Sequence, residues 1–177
     1  MQHRMDDQKL EEWENTHNLV VTFKDIAKSD VVRAEYHCYR NQDGKCFIPS
    51  EHFRGALIGA GTFVKSKVGA QTKSMKSIVA AMFQIEPYEI LMPDYDQIDK
   101  RSGVNRNVKA RIIVVRPKWS TWEVDFTLTV DNDTIPVPMI KQLFEFAGNN
   151  VGIGSFRPTN NGSFGRFEVV GIKEKNK

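Results

Sequence analysis

The sequence predicts an α+β fold in which two amphipathic helices cover a sheet. Apolar residues recur with helical spacing in two segments, short runs with strand character flank both segments, and turn residues separate them. The chain has 177 residues, 40% of them hydrophobic and 27% charged, which suits one globular domain with a buried core. We therefore expect a single domain over residues 1–177.

The N-terminal residues predict an arm followed by a strand. Residues 1–16 are polar and weakly helical over 8–15, where Leu10 and Trp13 form a small apolar stripe. This arm either docks on a neighbouring molecule or is a frayed terminus. Residues 19–23, LVVTF, then have the β-branched and aromatic composition of a first strand.

A hairpin is predicted next. Residues 31–40 predict a second extended run, NQDG at 41–44 predicts a turn, and residues 45–48 predict the returning strand. Cys38 and Cys46 flank this turn, too far apart for a Cys-x-x-Cys motif and without a second pair. We therefore expect reduced structural thiols rather than a zinc or redox site.

The first predicted helix begins at PSE, residues 49–51, with Ser50 as its cap and Glu51 near the positive end of the dipole. Gly55 and Gly59 each cost about 1 kcal/mol in a helix interior relative to alanine. We therefore expect the sheet, a neighbouring subunit or a ligand to approach closely there. The buried face is predicted from helical spacing and contains Phe53, Ala56, Leu57, Ala60 and Val64.

Residues 65–109 predict a basic insertion with two mobile tips. Segment 65–118 has eleven basic and five acidic residues, a local excess of 11 − 5 = +6, whereas the whole chain carries only +3. The remainder is therefore net acidic, and the distribution of charge is more informative than its total. The basic residues are Lys65, Lys67, Lys73, Lys76, Lys100, Arg101, Arg106, Lys109, Arg111, Arg116 and Lys118.

Two further strands follow. Residues 110–116 predict a buried strand, because an apolar run occupies 112–115. Residues 122–130 alternate apolar and polar side chains, which predicts a half-buried strand whose outer face carries Glu123 and Asp125.

A second helix begins near Pro138, a residue suited to the first helical turn, and we expect Gly148 to end it. A glycine-rich loop occupies 148–166, and residues 167–172 predict the last strand. Without the hairpin and the insertion the order is β-α-β-β-α-β, which is the ferredoxin-like (RRM-like) fold. The buried stripe of the second helix contains Ile140, Leu143, Phe144 and Ala147.

The glycine-rich loop is the main candidate site. Its five glycines, together with Arg157 and Arg166, suit a backbone that lies against phosphates with N–H groups and guanidinium forks facing the anions. The alternative is a simple connecting turn, since PTNNG at 158–162 is ordinary turn chemistry. RNA binding on the open sheet face is excluded because Glu123 and Asp125 would repel phosphates there.

We expect a single strand to lie in a groove between this loop and the basic insertion. Phosphate neutralisation and occasional stacking on aromatic side chains hold single strands without sequence preference. Phe156, Trp119 and Tyr95 are the candidate stacking residues, and simple packing is the alternative role for each.

Two motifs resemble the RAMP superfamily, the repeat-associated proteins of CRISPR effector complexes. IPSEHFRGAL at 48–57 looks like that superfamily's I-P-G-S-S-L-K-G-A-L helix start, with Ser50 and Glu51 in place of its glycine and serine. Residues 152–167 are similar to its glycine-rich loop. The likeness is greatest to the small backbone subunits that polymerise along guide RNA, here in compact form, and we suspect relatives carried by phages and prophages.

The resemblance implies a non-catalytic protein that binds single-stranded RNA or DNA and associates head to tail along the strand, with copies of itself or with related subunits. It implies binding through the first helix, the glycine-rich loop and a thumb-like insertion. The predicted nucleic-acid-binding residues are Ser50, His52, Arg54, Lys65, Lys67, Lys73, Lys76, Arg101, Arg106, Arg111, Phe156, Arg157 and Arg166.

Other function classes stay open. A metal-independent endoribonuclease would use His52, the histidine nearest the expected strand path, for general acid–base chemistry. A protein-binding module, acting as a CRISPR-subunit mimic or inhibitor or as a phage assembly component, would bind a protein without salt-sensitive affinity for oligonucleotides. The sequence has no metal cluster, Walker lysine motif, Gly-x-Ser-x-Gly motif or dinucleotide fingerprint. We therefore expect no catalytic residues, metal or cofactor.

The N-terminal sequence is polar and acidic with no apolar core behind it, so we expect no signal peptide. No run in the chain approaches 18 apolar residues. These features predict a soluble cytoplasmic protein without a membrane partner.

Overall fold

A computed structural model describes residues 29–68, 71–105, 110–131 and 135–173. These residues form a mixed α and β fold with small antiparallel sheets. They divide into two compact units, which we call unit one (29–38 with 94–122) and unit two (39–93 with 123–173). The predicted N-terminal arm, the first predicted strand and Arg106 lie outside the described residues.

In chain order the elements are α1 (Asp30–Tyr36), β1 (Phe47–Pro49), α2 (Ser50–Ala60), β2 (Lys65–Val68), β3 (Gln71–Ser74), α3 (Lys76–Met82), β4 (Phe83–Glu86), β5 (Glu89–Leu91), β6 (Gln97–Asn105), β7 (Ala110–Lys118), β8 (Thr127–Val130) and α4 (Val137–Phe146). A π-helical turn (Ala147–Val151) continues α4, and a 3-10 turn (Pro158–Asn160) follows it. The strands pair antiparallel, β1 with β5, β2 with β3, β4 with β8 and β6 with β7. None of the described helices has the length and apolar character needed to cross a bilayer.

Unit one packs the short helix α1 on the long hairpin β6–β7. The guanidinium of Arg33 in α1 donates to the carbonyl of Ile113 in β7. Lys100 Nζ in β6 lies 2.6 Å from Asp30 Oδ2, and Tyr95 donates to the Glu35 carboxylate at 3.1 Å. Polar side chains therefore join the helix to the hairpin.

The extended run expected over 31–40 is wrong, because Asp30–Tyr36 is helical. Ser29 caps the helix by accepting a hydrogen bond from the N–H of Val32 at 3.4 Å, and Asp30 lies in the first turn, where its charge is favourable. The helix-capping signal of Ser29 and Asp30 therefore outweighs the strand preference of the β-branched residues Val31 and Val32 that follow.

Burial along β7 also differs from the prediction. The strand itself forms, but only Val115 of the apolar run is fully buried, while Ile112 and Ile113 are 43% and 54% exposed. A seven-residue helix covers only part of a nine-residue two-stranded hairpin, so both faces of β7 keep exposed apolar side chains.

The core of unit two forms around α2, whose predicted buried face is confirmed. Phe53, Ala56, Leu57, Ala60 and Val64 are all buried. Aromatic packing extends this core, because the Phe53 ring contacts the rings of Phe126 and Phe167 at centroid distances of 4.9 and 5.5 Å. Apolar burial of this kind is the main stabilising contribution to the unit.

The two glycines of α2 have different surroundings. A Cβ added to Gly59 would lie 3.1 Å from Val151 Cγ1, so a close approach occurs there. The group that approaches is the π-helical turn, not the sheet, the subunit or the ligand that was expected. A Cβ added to Gly55 would meet no atom within 4 Å, and Gly55 is exposed. Packing therefore explains one glycine and not the other.

The expected insertion at 65–109 does not form one structural unit. Residues 65–93 belong to unit two, where β4 pairs with β8, while residues 94–105 belong to unit one. The basic hairpin β2–β3 is therefore part of the same unit as α2. The single domain over 1–177 stays a prediction.

The second helix matches the prediction at its start and differs at its end. Pro138 lies in the first turn of α4, and Leu143, Phe144 and Ala147 are buried. Gly148 does not end the helix, because the chain continues as a π-helical turn to Gly152, where φ is +71°. Gly148 instead allows close packing, since an added Cβ would overlap the carbonyl oxygen of Phe167.

Two predicted strands are shorter or absent within the described part of the chain. Only Thr127–Val130 of the run 122–130 is a strand, although Glu123, Asp125 and Thr129 are exposed as the alternation predicted. Residues 167–172 adopt no regular structure, and Val170 is 82% exposed. Phe167 bonds through its N–H to the Gly148 carbonyl, and residues 167–172 pair with no described strand.

Candidate nucleic-acid interface

The glycine-rich loop folds back on itself and on the end of α4. Gly152 N–H donates to the Ala147 carbonyl at 2.7 Å, and Ile153 N–H donates to the Gly165 carbonyl at 2.9 Å. A Cβ added to Gly165 would overlap the carbonyl oxygen of Ile153. Close backbone packing within the loop therefore accounts for this glycine, and the loop has its own fixed shape rather than acting as a loose connection.

Arg157 and Arg166 are held by neighbouring oxygen atoms of the loop and the π-helical turn. Arg157 donates through Nε to Thr159 Oγ1 at 3.0 Å and through a terminal nitrogen to the Gly154 carbonyl at 2.8 Å. Arg166 donates through Nε to the Asn149 carbonyl at 3.2 Å. A guanidinium has five N–H donors, so these bonds orient both groups and use only part of their capacity.

His52 lies in the first turn of α2. Its ring makes an edge contact with the Tyr39 ring at 5.6 Å and is partly buried. Burial lowers the pKa of His52 below its usual value of 6.5, and the positive charge of Arg157 lowers it further. The imidazole is therefore neutral at pH 7. The contact between the Phe53 and Phe167 rings at 5.5 Å brings the two predicted motifs together.

Arg54 lies on a different side of α2 from His52, because two helical positions are separated by about 200°. Its guanidinium donates to the carbonyls of Ala80 and Phe83 at the end of α3, and lies 3.6 Å from the Glu51 carboxylate. A cation at a helix C-terminus satisfies carbonyls that have no partner within the helix. Arg54 therefore has a structural role in unit two.

A cleft of about 310 Å³ lies beside Arg54. Ser50 is buried at the first position of α2, where its N–H donates to the Tyr88 carbonyl at 2.8 Å, and it makes no side-chain cap. The expected capping role of Ser50 is therefore wrong. The lining residues, which include two carboxylates, are Ser50, Glu51, Arg54, Gln84, Ile85, Glu86 and Tyr88.

The other predicted residues fall into both units. Lys65 and Lys73 are exposed on the hairpin β2–β3, Lys76 is exposed at the start of α3, and Lys67 belongs to β2. Arg101 and Arg111 belong to unit one, where Arg101 lies 2.6 Å from the Asp99 carboxylate. The lysines, His52 and the two loop arginines thus belong to the same unit, unit two.

The predicted stacking residues have aromatic partners of their own. Phe156 makes an edge contact with Phe164 at 5.4 Å, and Tyr95 makes one with Trp119 at 6.1 Å. Sequence reasoning missed the residues that position the site, namely Tyr39 beside His52 and Thr159 beside Arg157. No spacing rule connects them, because the loop conformation creates both contacts.

No set of three or more metal-binding side chains occurs among the residues that the structure describes. Comparisons of the chain with protein-family models, with curated proteins and with solved structures find no match in any of the three.

Proposed function

We propose that this chain is a non-catalytic single-stranded nucleic-acid-binding protein of the RAMP superfamily, built on a ferredoxin-like core and acting in the cytoplasm. The observation that carries the proposal is the contact between the Phe53 ring in α2 and the Phe167 ring that follows the glycine-rich loop, at a centroid distance of 5.5 Å. These two residues belong to the two motifs on which the resemblance rests, and they are 114 positions apart in the chain. The positive charge of Arg157 also acts on His52 at the start of α2.

The proposed binding surface contains the loop arginines, His52 and the lysines of β2–β3. Guanidinium groups already held by the Gly154 and Asn149 carbonyls lose little freedom on binding a phosphate. Lys65 and Lys73 add flexible positive charge. Contacts of this kind neutralise phosphates and carry no sequence information.

The neutral state of His52 supports a non-catalytic role. General acid–base cleavage of RNA needs a proton donor as well as a proton acceptor in the transition state. His52 is neutral at pH 7, and its charged neighbour Arg157 does not release a proton in this range. The imidazole can donate or accept one hydrogen bond, which suits it to binding.

The proposal includes self-association along the strand. Head-to-tail contacts between identical subunits give open filaments or rings, and such an assembly would cover a long strand. Sedimentation of the protein with a 30-nucleotide strand should give particles larger than a 1:1 complex, whereas a 1:1 complex at saturation would contradict this part of the proposal.

Fluorescence anisotropy with a labelled single-stranded 30-mer at several salt concentrations tests the binding. If about four to six phosphates are neutralised, the slope of log K against log salt should be about −3 to −4. Replacing Arg157 and Arg166 by alanine should weaken binding and flatten the slope by about 1.4, since each phosphate contact contributes about 0.7. Lys173→Ala, at an exposed position beyond the loop, is the matched control and should change neither.

Three outcomes would contradict the proposal. Failure to detect strand binding at low salt would contradict the proposal. Tight binding to a co-purified protein, without strand binding, would favour a protein-binding module. Cleavage of labelled RNA that disappears in His52→Ala would replace it with an endoribonuclease.

A further inference from the structure

Phe63 is the most exposed aromatic side chain among the described residues, with 65% of its surface accessible. It lies in the turn that follows α2, and its ring stacks on the ring of Phe146 at a centroid distance of 5.1 Å and an interplanar angle of 24°. Phe146 supports one face of the ring. The rest of a large apolar group is left to solvent at a position fixed by the protein.

The turn with Phe63 is joined firmly to the hairpin β2–β3. Ser74 Oγ donates to the Gly61 carbonyl at 3.0 Å, and Met75 N–H donates to the Val64 carbonyl at 3.0 Å. A Cβ added to Gly61 would lie 2.8 Å from Lys76 N, so the backbones are in contact there. The aromatic ring and the base of the hairpin therefore keep a fixed arrangement.

The charge of this region has one sign. Segment 61–82 contains four lysines and no aspartate or glutamate. Lys65, Lys73 and Lys76 are exposed. An exposed aromatic ring bordered by lysines combines the two features that bind single strands without sequence preference, a stacking surface and backbone neutralisation.

The position of Phe63 is continuous with the proposed interface. Phe63 follows the end of α2 by three residues, and its N–H donates to the Ala60 carbonyl at 2.9 Å. Its stacking partner Phe146 directly precedes the π-helical turn that opens the glycine-rich loop. Gly59 of α2 contacts Val151 of the same turn.

We propose that Phe63, supported by Phe146, stacks on a base of a bound single strand whose phosphates contact the lysines of β2–β3. This inference rests on the proposed function and adds a stacking residue to it. The occupant is a single-stranded nucleic acid rather than a protein, because the segment that carries Phe63, residues 61–82, has four lysines and no carboxylate, and this charge complements phosphates.

The test compares Phe63→Ala and Phe63→Trp with the control Tyr36→Ala, which removes a 44% exposed aromatic side chain from unit one. Anisotropy is measured with a single-stranded 30-mer and with an abasic 30-mer that has the same backbone. Loss of one stacked base should lower the affinity of Phe63→Ala for the normal strand about 5- to 150-fold without changing the salt slope. Affinity for the abasic strand should not change.

Phe63→Trp should keep the affinity, and its additional indole fluorescence should be quenched by the strand. Equal affinities of wild type, Phe63→Ala and Tyr36→Ala for the normal strand would overturn the inference and leave the proposed function intact. Absence of salt-dependent binding by the wild type would overturn both. Loss of self-association in Phe63→Ala, with unchanged affinity for a strand short enough to bind one copy, would reassign the surface to contacts between copies.

Discussion

Replacing Gly148 by alanine should destabilise the protein through a backbone clash in the glycine-rich loop. The new Cβ would overlap the Phe167 carbonyl oxygen and lie 2.8 Å from the carbonyl carbon, closer than Cβ atoms approach other groups. Phe167 must therefore move, and its N–H bond to the Gly148 carbonyl and its contact with Phe53 move with it.

The cost follows from these contacts. Overpacking costs about 1–3 kcal/mol and the loss of one hydrogen bond about 0.5–1.5 kcal/mol, while alanine gains about 1 kcal/mol in helix propensity. The net free energy of unfolding should fall by about 1–3 kcal/mol. Gly55→Ala is the matched control, because Gly55 lies in α2 with open space around it, and it should raise the free energy of unfolding by about 0.5–1 kcal/mol.

Thermal unfolding followed by circular dichroism measures both variants. The melting temperature of a chain of this size shifts by about 2–4 °C per kcal/mol, so the two variants should differ by about 3–16 °C with the wild type between them. Gly148→Ala should also weaken strand binding, because the displaced loop carries Arg157. Equal melting temperatures for Gly148→Ala and wild type would refute the close packing of the loop on the π-helical turn.

Two other predictions concern pH and Arg54. Burial and the charges of Arg116 and Arg33 lower the folded-state pKa of His37 to about 4. The folded-state pKa of His52 also lies below the unfolded value of 6.5. Stability should therefore be full above pH 6.5 and fall as the pH drops towards 4, and Arg157→Ala should raise the pKa of His52 while burial keeps it below 6.5. Urea unfolding and NMR titration measure these effects, and a His52 pKa at or above 6.5 in the wild type would contradict them. Arg54→Ala should lower the free energy of unfolding by about 1–3 kcal/mol, because the Ala80 and Phe83 carbonyls lose their donor. It should leave the salt slope of strand binding unchanged, and a slope flattened as strongly as in the Arg157 and Arg166 variant would show that Arg54 contacts phosphate.

The elements governed by local periodicity could be predicted. Four apolar residues on one face of α2 are buried, together with Val64 beyond its end, and α4 begins beside Pro138. Helical spacing and a proline in the first turn are local properties of the chain, so both could be predicted. The prediction of an extended run over residues 31–40 was wrong for a related reason. Two competing local signals were present, and the capping signal of Ser29 and Asp30 was given too little weight.

Features that depend on contacts between distant segments could not be predicted. Gly148 has the sequence context of a helix end, and only the position of Phe167 shows that it permits close packing instead. The strand predicted over 167–172 failed because strand formation requires a partner edge, and the loop bonds to the π-helical turn at that point. Likewise, Phe63 has no distinctive sequence context. Its stacking on Phe146, which leaves the rest of the ring exposed, depends on a contact between residues far apart in the chain.

The charges around α2 would give a bound strand a defined side. Glu51 and Glu86 line the cleft beside Arg54, whereas His52 is affected by the charge of Arg157 and Phe63 lies at the base of the lysine hairpin. The carboxylates of the cleft repel a phosphate backbone, and the arginine and lysine side chains of unit two attract it. These charges would therefore favour binding of the strand on the basic side of α2.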